Sequence, residues 1–285
     1  MFMEIASKVR KKNLTYLNID RLESMKSCID SIKRNSVPGE FLEFGIALGG
    51  SAICIASELD DDRRFIGFDV FGMIPPPGEK DGPGPNERYE TIRTGRSVGL
   101  GGDRYYGYVN DLHQLVVKNF EDFGFTIDGH KIELVPGLYE AILPGLPEMT
   151  IAFAHIDCDW YEPIMLCLEY VTPRLSPGGM IILDDYNDWP GCRKASDEFC
   201  ARHPEMQVRR TSPHCVLCKQ FEPATIIGRL RRAFFGGSRP SRTISLCNNS
   251  FSVVLPEFVR GQRNGEGRLW IGRGGRTSTP DSLCA

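Results

Sequence analysis

The chain has 285 residues, with 34 Lys and Arg against 37 Asp and Glu and a net charge of −3. That near-balance gives no footing for nucleic acid, and no apolar run approaches the roughly 20 residues of a membrane helix. Length and a 41% apolar share suit one elaborated domain, or one domain with a short extra segment. The opening stretch MFMEIASKVRKKNLTYLNID lacks the long apolar core and small-residue cleavage site of a signal peptide. Ten scattered cysteines fit reduced thiols in a cytoplasmic protein better than a disulfide framework. The one close pair, Cys215 and Cys218, has no second pair at zinc spacing and reads as buried and inert.

In chain order, residues 1–37 read as a helical cap, with an apolar stripe from Arg21 to Lys33. A short strand follows over Phe41 to Phe44, then a glycine turn and a helix from about Ser51. Phe65 to Val70 reads as a second strand with an acid near its end. Residues 73–106 are crowded with Gly and Pro and carry no sustained period, so they are expected to form a lid insertion. Residues 107–123 predict an amphipathic helix, and Lys131 to Val135 a third strand. Ile151 to Ile156 predicts a fourth strand, and Pro163 to Leu175 a crossover helix stopped by SPGG. Met180 to Leu183 is a fifth strand, Cys192 to Arg202 a helix, and a final strand lies near Val208 to Leu217.

Short apolar strands alternating with helices predict an α/β, Rossmann-like fold, a parallel sheet covered on both faces. Right-handed crossovers then bring the carboxyl ends of the strands to one edge, where ligands bind. The core domain is placed at 38–222. Residues 223–285, rich in Arg, Gly and Ser, read as a basic tail or small appendage without a motif.

Three features at that edge suit an adenosyl cofactor. Glu43 is followed by a turn containing Gly45, Ala47, Gly49 and Ser51, where glycines let the backbone approach a ligand and a helix N-terminus offers N–H groups. Asp69 ends the next strand, where an acid accepts hydrogen bonds from ribose hydroxyls. Gly137 follows the third strand, near where an adenine would lie. The turn lacks the full GxGxxG spacing of a dinucleotide site. Glu43 would repel a pyrophosphate but pair with the ammonium of a methionine moiety, which favours S-adenosylmethionine over NAD. A glycine turn without a ligand is the bland alternative.

The sharpest feature is HIDCDWYE, residues 155–162, together with LDDY, residues 183–186. Both end strands joined through one helical crossover, which predicts neighbours about 4.8 Å apart. Asp157, Asp159, Asp184 and Asp185 would crowd one corner, and like charges in one site force protonation unless a cation intervenes. Oxygen-only ligands suit Mg2+. A cation there would lower the pKa of an alcohol, and a carboxylate would take its proton. The bland alternative is that these acids cap helices. His155 reads as a base, an orienting group or a satisfied core histidine. Trp160 and Tyr161 read as lining an acceptor pocket or packing at the strand end.

At these residues the chain resembles the macrocin O-methyltransferase family, over roughly residues 38–220. The resemblance rests on FLEFGIALGGSA, FIGFDVFGMIPPP, VVKNFEDFGF, VPGLYEAILP, HIDCDWYE and LSPGGMIILDDYNDWPGC. It implies a class I methyltransferase sheet of seven strands with one reversed, and methylation of a sugar hydroxyl in a glycosylated natural product. By position it implies Asp157, Asp184 and Asp185 as Mg2+ ligands, with Asp159 as general base, a task Asp157 could share. It implies Glu43, the glycine turn and Asp69 as contacts to S-adenosylmethionine, and, by analogy, a homodimer. Leu48 stands where the family usually has arginine, and FGMIP where it usually has FEGLP. Two rival readings are a metal-dependent hydrolase using the same aspartates and a non-catalytic cofactor-binding protein.

Overall fold

A computed structural model describes residues 1–220. The basic stretch 223–285 lies outside the described residues.

Two helices open the chain, α1 (Phe2–Lys11) and α2 (Ile19–Arg34). In α2 the residues Leu22, Met25, Cys28, Ile29 and Ile32 recur at helical spacing and are buried. Asn18 caps it by accepting a hydrogen bond from Arg21 N at 2.9 Å. Then follow β1 (Glu40–Phe44), α3 (Gly50–Ala56), β2 (Phe65–Asp69), α4 (Pro83–Arg93) and α5 (Leu112–Asp122). The chain continues through β3 (Ile132–Pro136), α6 (Tyr139–Ile142), β4 (Ile151–Ile156) and α7 (Tyr161–Arg174). It closes with β5 (Leu175–Leu183), α8 (Pro190–Arg202), β6 (Met206–Arg210) and β7 (Cys215–Lys219).

The strands form one sheet in the order β3-β2-β1-β4-β5-β7-β6. All neighbours are parallel except β7, which runs against both β5 and β6. This is the seven-stranded sheet with one reversed strand that the resemblance implies. Alternation along each strand splits the core in two. Phe41, Phe65 and Phe153 pack on one face with residues of α1, α2, α3 and α5. Leu42, Phe44, Ile156 and Leu183 pack on the other with α7 and α8. Each fully buried side chain of this kind contributes roughly 1.5–3 kcal/mol. The central strands β2 and β4 are therefore apolar almost throughout, as strands covered on both faces must be, while β1 carries Glu40 and Glu43.

Three local expectations differ from the structure. The segment 73–106 holds a helix, α4, which starts with Pro83 and buries only Pro85 and Ile92, so it shows no apolar stripe. SPGG does not stop α7 before a later strand but opens β5, with Gly178 at φ 85° and a register shift against β4. The final strand is a hairpin of two strands, β6 and β7.

Candidate functional site

The carboxyl ends of β1, β2, β4 and β5 meet as the topology requires. β1 turns sharply after Phe44. Gly45 takes φ 92°, and a Cβ there would lie 1.8 Å from the carbonyl oxygen of Asp157, so only glycine fits. Asp69, at the end of β2 and 7% exposed, stitches this turn. Its Oδ2 accepts from Ile46 N at 2.7 Å and Ala47 N at 3.0 Å, and its Oδ1 from Phe71 N at 2.6 Å. Burial raises the pKa of Asp69, and the three amide donors oppose that rise.

The register sets the acids. Glu43 lies opposite His155 across β1 and β4, and Ile156 opposite Leu183 across β4 and β5. Asp157 and Asp184 therefore leave adjacent strands at the same height. Glu43 and His155 are fully buried, and His155 Nδ1 donates to Glu43 Oε1 at 2.7 Å. His155 Nε2 stands 3.6 Å from Asp184 Oδ1, an ion-pair distance without a hydrogen bond. Burial opposes protonation of His155, but the Asp184 and Glu43 carboxylates outweigh it and push its pKa up to about 9.

Asp184 has further partners. Arg21 of α2 donates from one guanidinium nitrogen to Asp184 Oδ2 at 2.6 Å and from the other to Asp188 at 2.5 Å. His214 Nδ1 donates to Asp184 Oδ1 at 3.2 Å, and its Nε2 accepts from Ser24 Oγ at 2.7 Å. Burial works against ionisation of Asp184, yet His155, His214 and Arg21 hold its carboxyl well below the usual range. Ser24, His214 and Asp184 follow the order of a nucleophile triad, but Ser24 is buried and lines neither cavity described below. Among the described residues this chain of bonds is a packing link rather than a hydrolase site.

Asp157, Asp159 and Asp185 lack such compensation. Burial raises Asp157 well above the carboxylate range, with Asp184 and Asp159 adding to the rise. Burial likewise raises Asp185, with Asp159, Asp157 and Asp184 contributing. The Asp157 and Asp185 carboxyls adjoin one another, and each shifts the other's titration. Burial pushes Asp159 up to about 6, against a hydrogen bond from Trp189 and the charge of Arg88. Its backbone takes φ 60°, and its N–H donates to Asp185 Oδ2 at 3.1 Å. One ligand atom each from His155, Asp157 and Asp184 lies within 4.8 Å of the others. Asp185 falls outside that group of three, though it adjoins Asp157.

Two adjoining cavities open at this edge, of about 210 and 290 Å3. Gly45, Asp69, Asp157, Asp159 and Trp160 line both. The smaller is the more apolar and runs past Ile74, Pro75, Leu138 and Tyr139. The larger holds Asp184, Asp185, Asp188, Arg21, Arg88 and Trp189.

Of the residues expected to touch a cofactor, Gly45, Ala47 and Asp69 line these cavities, whereas Glu43, Gly49, Ser51 and Gly137 do not. Glu43 lies on the covered face of the sheet with Phe41 and is engaged by His155. Gly49 packs against Val116 and Phe120, and Gly50 N donates to Leu14 O at 3.0 Å, so α1 and its following turn cover the start of α3. Gly137 N bonds Asp69 O at 2.9 Å, and the cavity wall is made by the next residues, Leu138 and Tyr139. Trp160 lines both cavities, while Tyr161 is buried with its hydroxyl donating to Glu198 at 2.6 Å. Arg21, Arg88, Asp188, Tyr105 and Trp189 were not legible as site residues. Arg21 reaches Asp184 across 163 positions of sequence, a pairing no local pattern announces.

The macrocin O-methyltransferase (TylF) family model matches residues 9–211. The chain is 30% identical over 193 residues to the 8-demethyl-8-(2,3-dimethoxy-alpha-L-rhamnosyl)-tetracenomycin-C 4'-O-methyltransferase of Streptomyces olivaceus, covering 66% of this chain and 68% of that protein. It is 31% identical over 196 residues to the mycinamicin III 3''-O-methyltransferase of Micromonospora griseorubida, covering 66% and 71%. The solved structure of the O-methyltransferase NovP superposes with a TM-score of 0.61 at 26% identity, covering 73% of this chain and 83% of that one. The chain belongs to the macrocin O-methyltransferase family, and it is an O-methyltransferase.

Proposed function

We propose that the protein transfers a methyl group from S-adenosylmethionine to a hydroxyl of a sugar on a natural product, with Mg2+ at the acidic corner. The observation that carries this reading is the pair of cavities meeting at Gly45, Asp69, Asp157, Asp159 and Trp160, one apolar and one lined by acids. A donor in the first and an acceptor in the second would meet at that shared boundary. The named activities of the relatives, methylation of a rhamnosyl tetracenomycin and of mycinamicin, favour a sugar hydroxyl as acceptor.

The donor set fits a hard divalent ion. Asp157 and Asp185 adjoin and are both driven toward protonation, which a cation would relieve, and Asp184 adds a third carboxylate. Asp157, Asp184 and Asp185 would hold the ion, whose charge would make a neighbouring hydroxyl more acidic. Glu43 would act from behind, fixing the ring of His155 against Asp184 rather than touching the methionine moiety.

Asp69 and the turn from Gly45 to Ala47 would hold the donor's ribose, since Asp69 Oδ1, with a single amide bond, keeps capacity to accept another. Trp160 and Trp189, 5.3 Å apart edge to face, offer apolar surface to a sugar ring. Asp159, with a pKa near 6, is suited to take the hydroxyl proton at neutral pH. Asp159 would accept the hydroxyl proton as the oxygen takes the methyl group that S-adenosylmethionine would supply, the electrons of the broken carbon–sulfur bond returning to sulfur as a thioether. Positioning the two partners supplies the remaining acceleration. Residues 73–106 would act as the cover over this site, with Ile74, Arg88 and Tyr105 facing the acceptor.

The test is methylation of a panel of deoxysugar glycosides by purified protein, with Mg2+ and with chelator, read as S-adenosylhomocysteine release. Mg2+-dependent release with at least one glycoside is expected. Release that is equal with chelator would remove the metal from the mechanism, and release only with non-sugar phenols would replace the acceptor.

A further inference from the structure

The covering segment begins with a buried carboxylate that the methyl-transfer chemistry does not use. Asp81 is 1% exposed and has no basic partner among the described ion pairs. Its Oδ2 accepts from Gly78 N at 2.8 Å and its Oδ1 from Tyr161 N at 2.7 Å, the first residue of α7. The start of α8 closes on the same oxygen. A Cβ at Gly191 would lie 1.8 Å from Asp81 Oδ1, so the approach requires glycine. Two backbone amides, one of them at the start of α7, satisfy this buried carboxyl, and the start of α8 packs against it. Two more contacts tie the same stretch to the start of α7. The Trp160 indole N–H donates to Pro75 O at 3.0 Å, and Lys80 pairs with Glu162 at 3.1 Å.

We propose that Asp81 is a positioning residue that bolts residues 74–81 to the starts of α7 and α8 and thereby fixes one wall of the cofactor cavity. Ile74, Pro75, Pro76 and Gly78 line that cavity, and Trp160 borders both cavities beside Asp159. The bolt anchors the first part of the cover, ahead of α4. The effect on cofactor affinity rests on the function proposed above, whereas the bolt itself does not.

Amide hydrogen exchange and calorimetry on Asp81→Ala and Asp81→Asn test this. In ligand-free Asp81→Ala, the Gly78 and Tyr161 amides should exchange together about tenfold or more faster, while the central strands keep their protection. S-adenosylmethionine should bind about tenfold more weakly, with Mn2+ affinity changed less than about twofold. Asp81→Asn, which keeps one carbonyl acceptor, should fall between, and it carries the test on both criteria if the alanine variant does not fold. Unchanged exchange at Gly78, or parallel loss of S-adenosylmethionine and Mn2+ binding, would overturn the proposal. If the wild-type protein takes no S-adenosylmethionine, the cofactor reading fails by itself and the exchange comparison alone decides the bolt.

Discussion

Two groups of buried and half-buried carboxylates sit at the same edge of the same sheet, and they find different partners. Asp69, at the end of β2, is surrounded by three backbone amides at 2.6–3.0 Å, and its charge is spread over the turn that it organises. Asp157, Asp159 and Asp185, at the ends of β4 and β5, face mainly one another, and each is driven toward its protonated form. Between them Asp184 is held ionised by Arg21, His155 and His214. In the first, three of the protein's own amides oppose the rise that burial causes, and Asp69 Oδ1 keeps room for one further donor. The second has charge left over, and leftover charge in a buried corner marks where a cation or a reacting proton would belong.

The difference can be broken deliberately. Asp184→Asn should have the largest effect, lowering turnover by about a thousandfold or more while leaving S-adenosylmethionine affinity within about twofold. Steady-state rates beside calorimetric titration would check this, and parallel loss of both would merge the two regions into one site. Asp69→Ala should do the reverse. It leaves three amides without their acceptor, so cofactor affinity should fall about 10–100-fold, with a loss of about 1–3 kcal/mol of stability in urea. A variant that binds the cofactor normally would remove Asp69 from the ribose contact.

Glu43→Gln should come third. It weakens the support of His155, and divalent-ion affinity should fall about tenfold with little change in cofactor affinity. Loss of cofactor affinity instead would restore Glu43 to direct contact with the methionine moiety. The smallest effect concerns pH. The pKa of His155 is raised above its usual 6.5 in the folded protein. Its contribution to stability is therefore full below pH 6.5 and fades as pH rises through about 9. In metal-free protein, urea midpoints should fall across that window, and Glu43→Gln should flatten the fall. An equal slope in both proteins would show that the pair does not set it.

The parallel sheet was legible because its strands are short apolar runs ended by acids, and β1 to β4 fell within one residue of their expected bounds, while β5 begins five residues earlier. The acid-rich corner was legible for the same reason, since consecutive strands through one crossover become neighbours. Helix α4 was not, because only Pro85 and Ile92 are buried and a helix that rests lightly on its support needs no apolar stripe. Glu43 illustrates a second limit. Its place before the glycine turn was plain, but alternation along β1 puts its side chain on the buried face of Phe41, beside His155 of β4. Arg21 and His214 illustrate a third, because both reach Asp184 from distant elements whose sequences are governed by packing.

The most direct measurement is Mn2+ binding, by electron paramagnetic resonance, to the wild-type protein and to Asp184→Asn, with S-adenosylmethionine titrated into both. The account predicts one tight Mn2+ in the wild type, none in the variant, and equal cofactor affinity. No Mn2+ in either protein, or a variant that keeps Mn2+ and loses the cofactor, would contradict it.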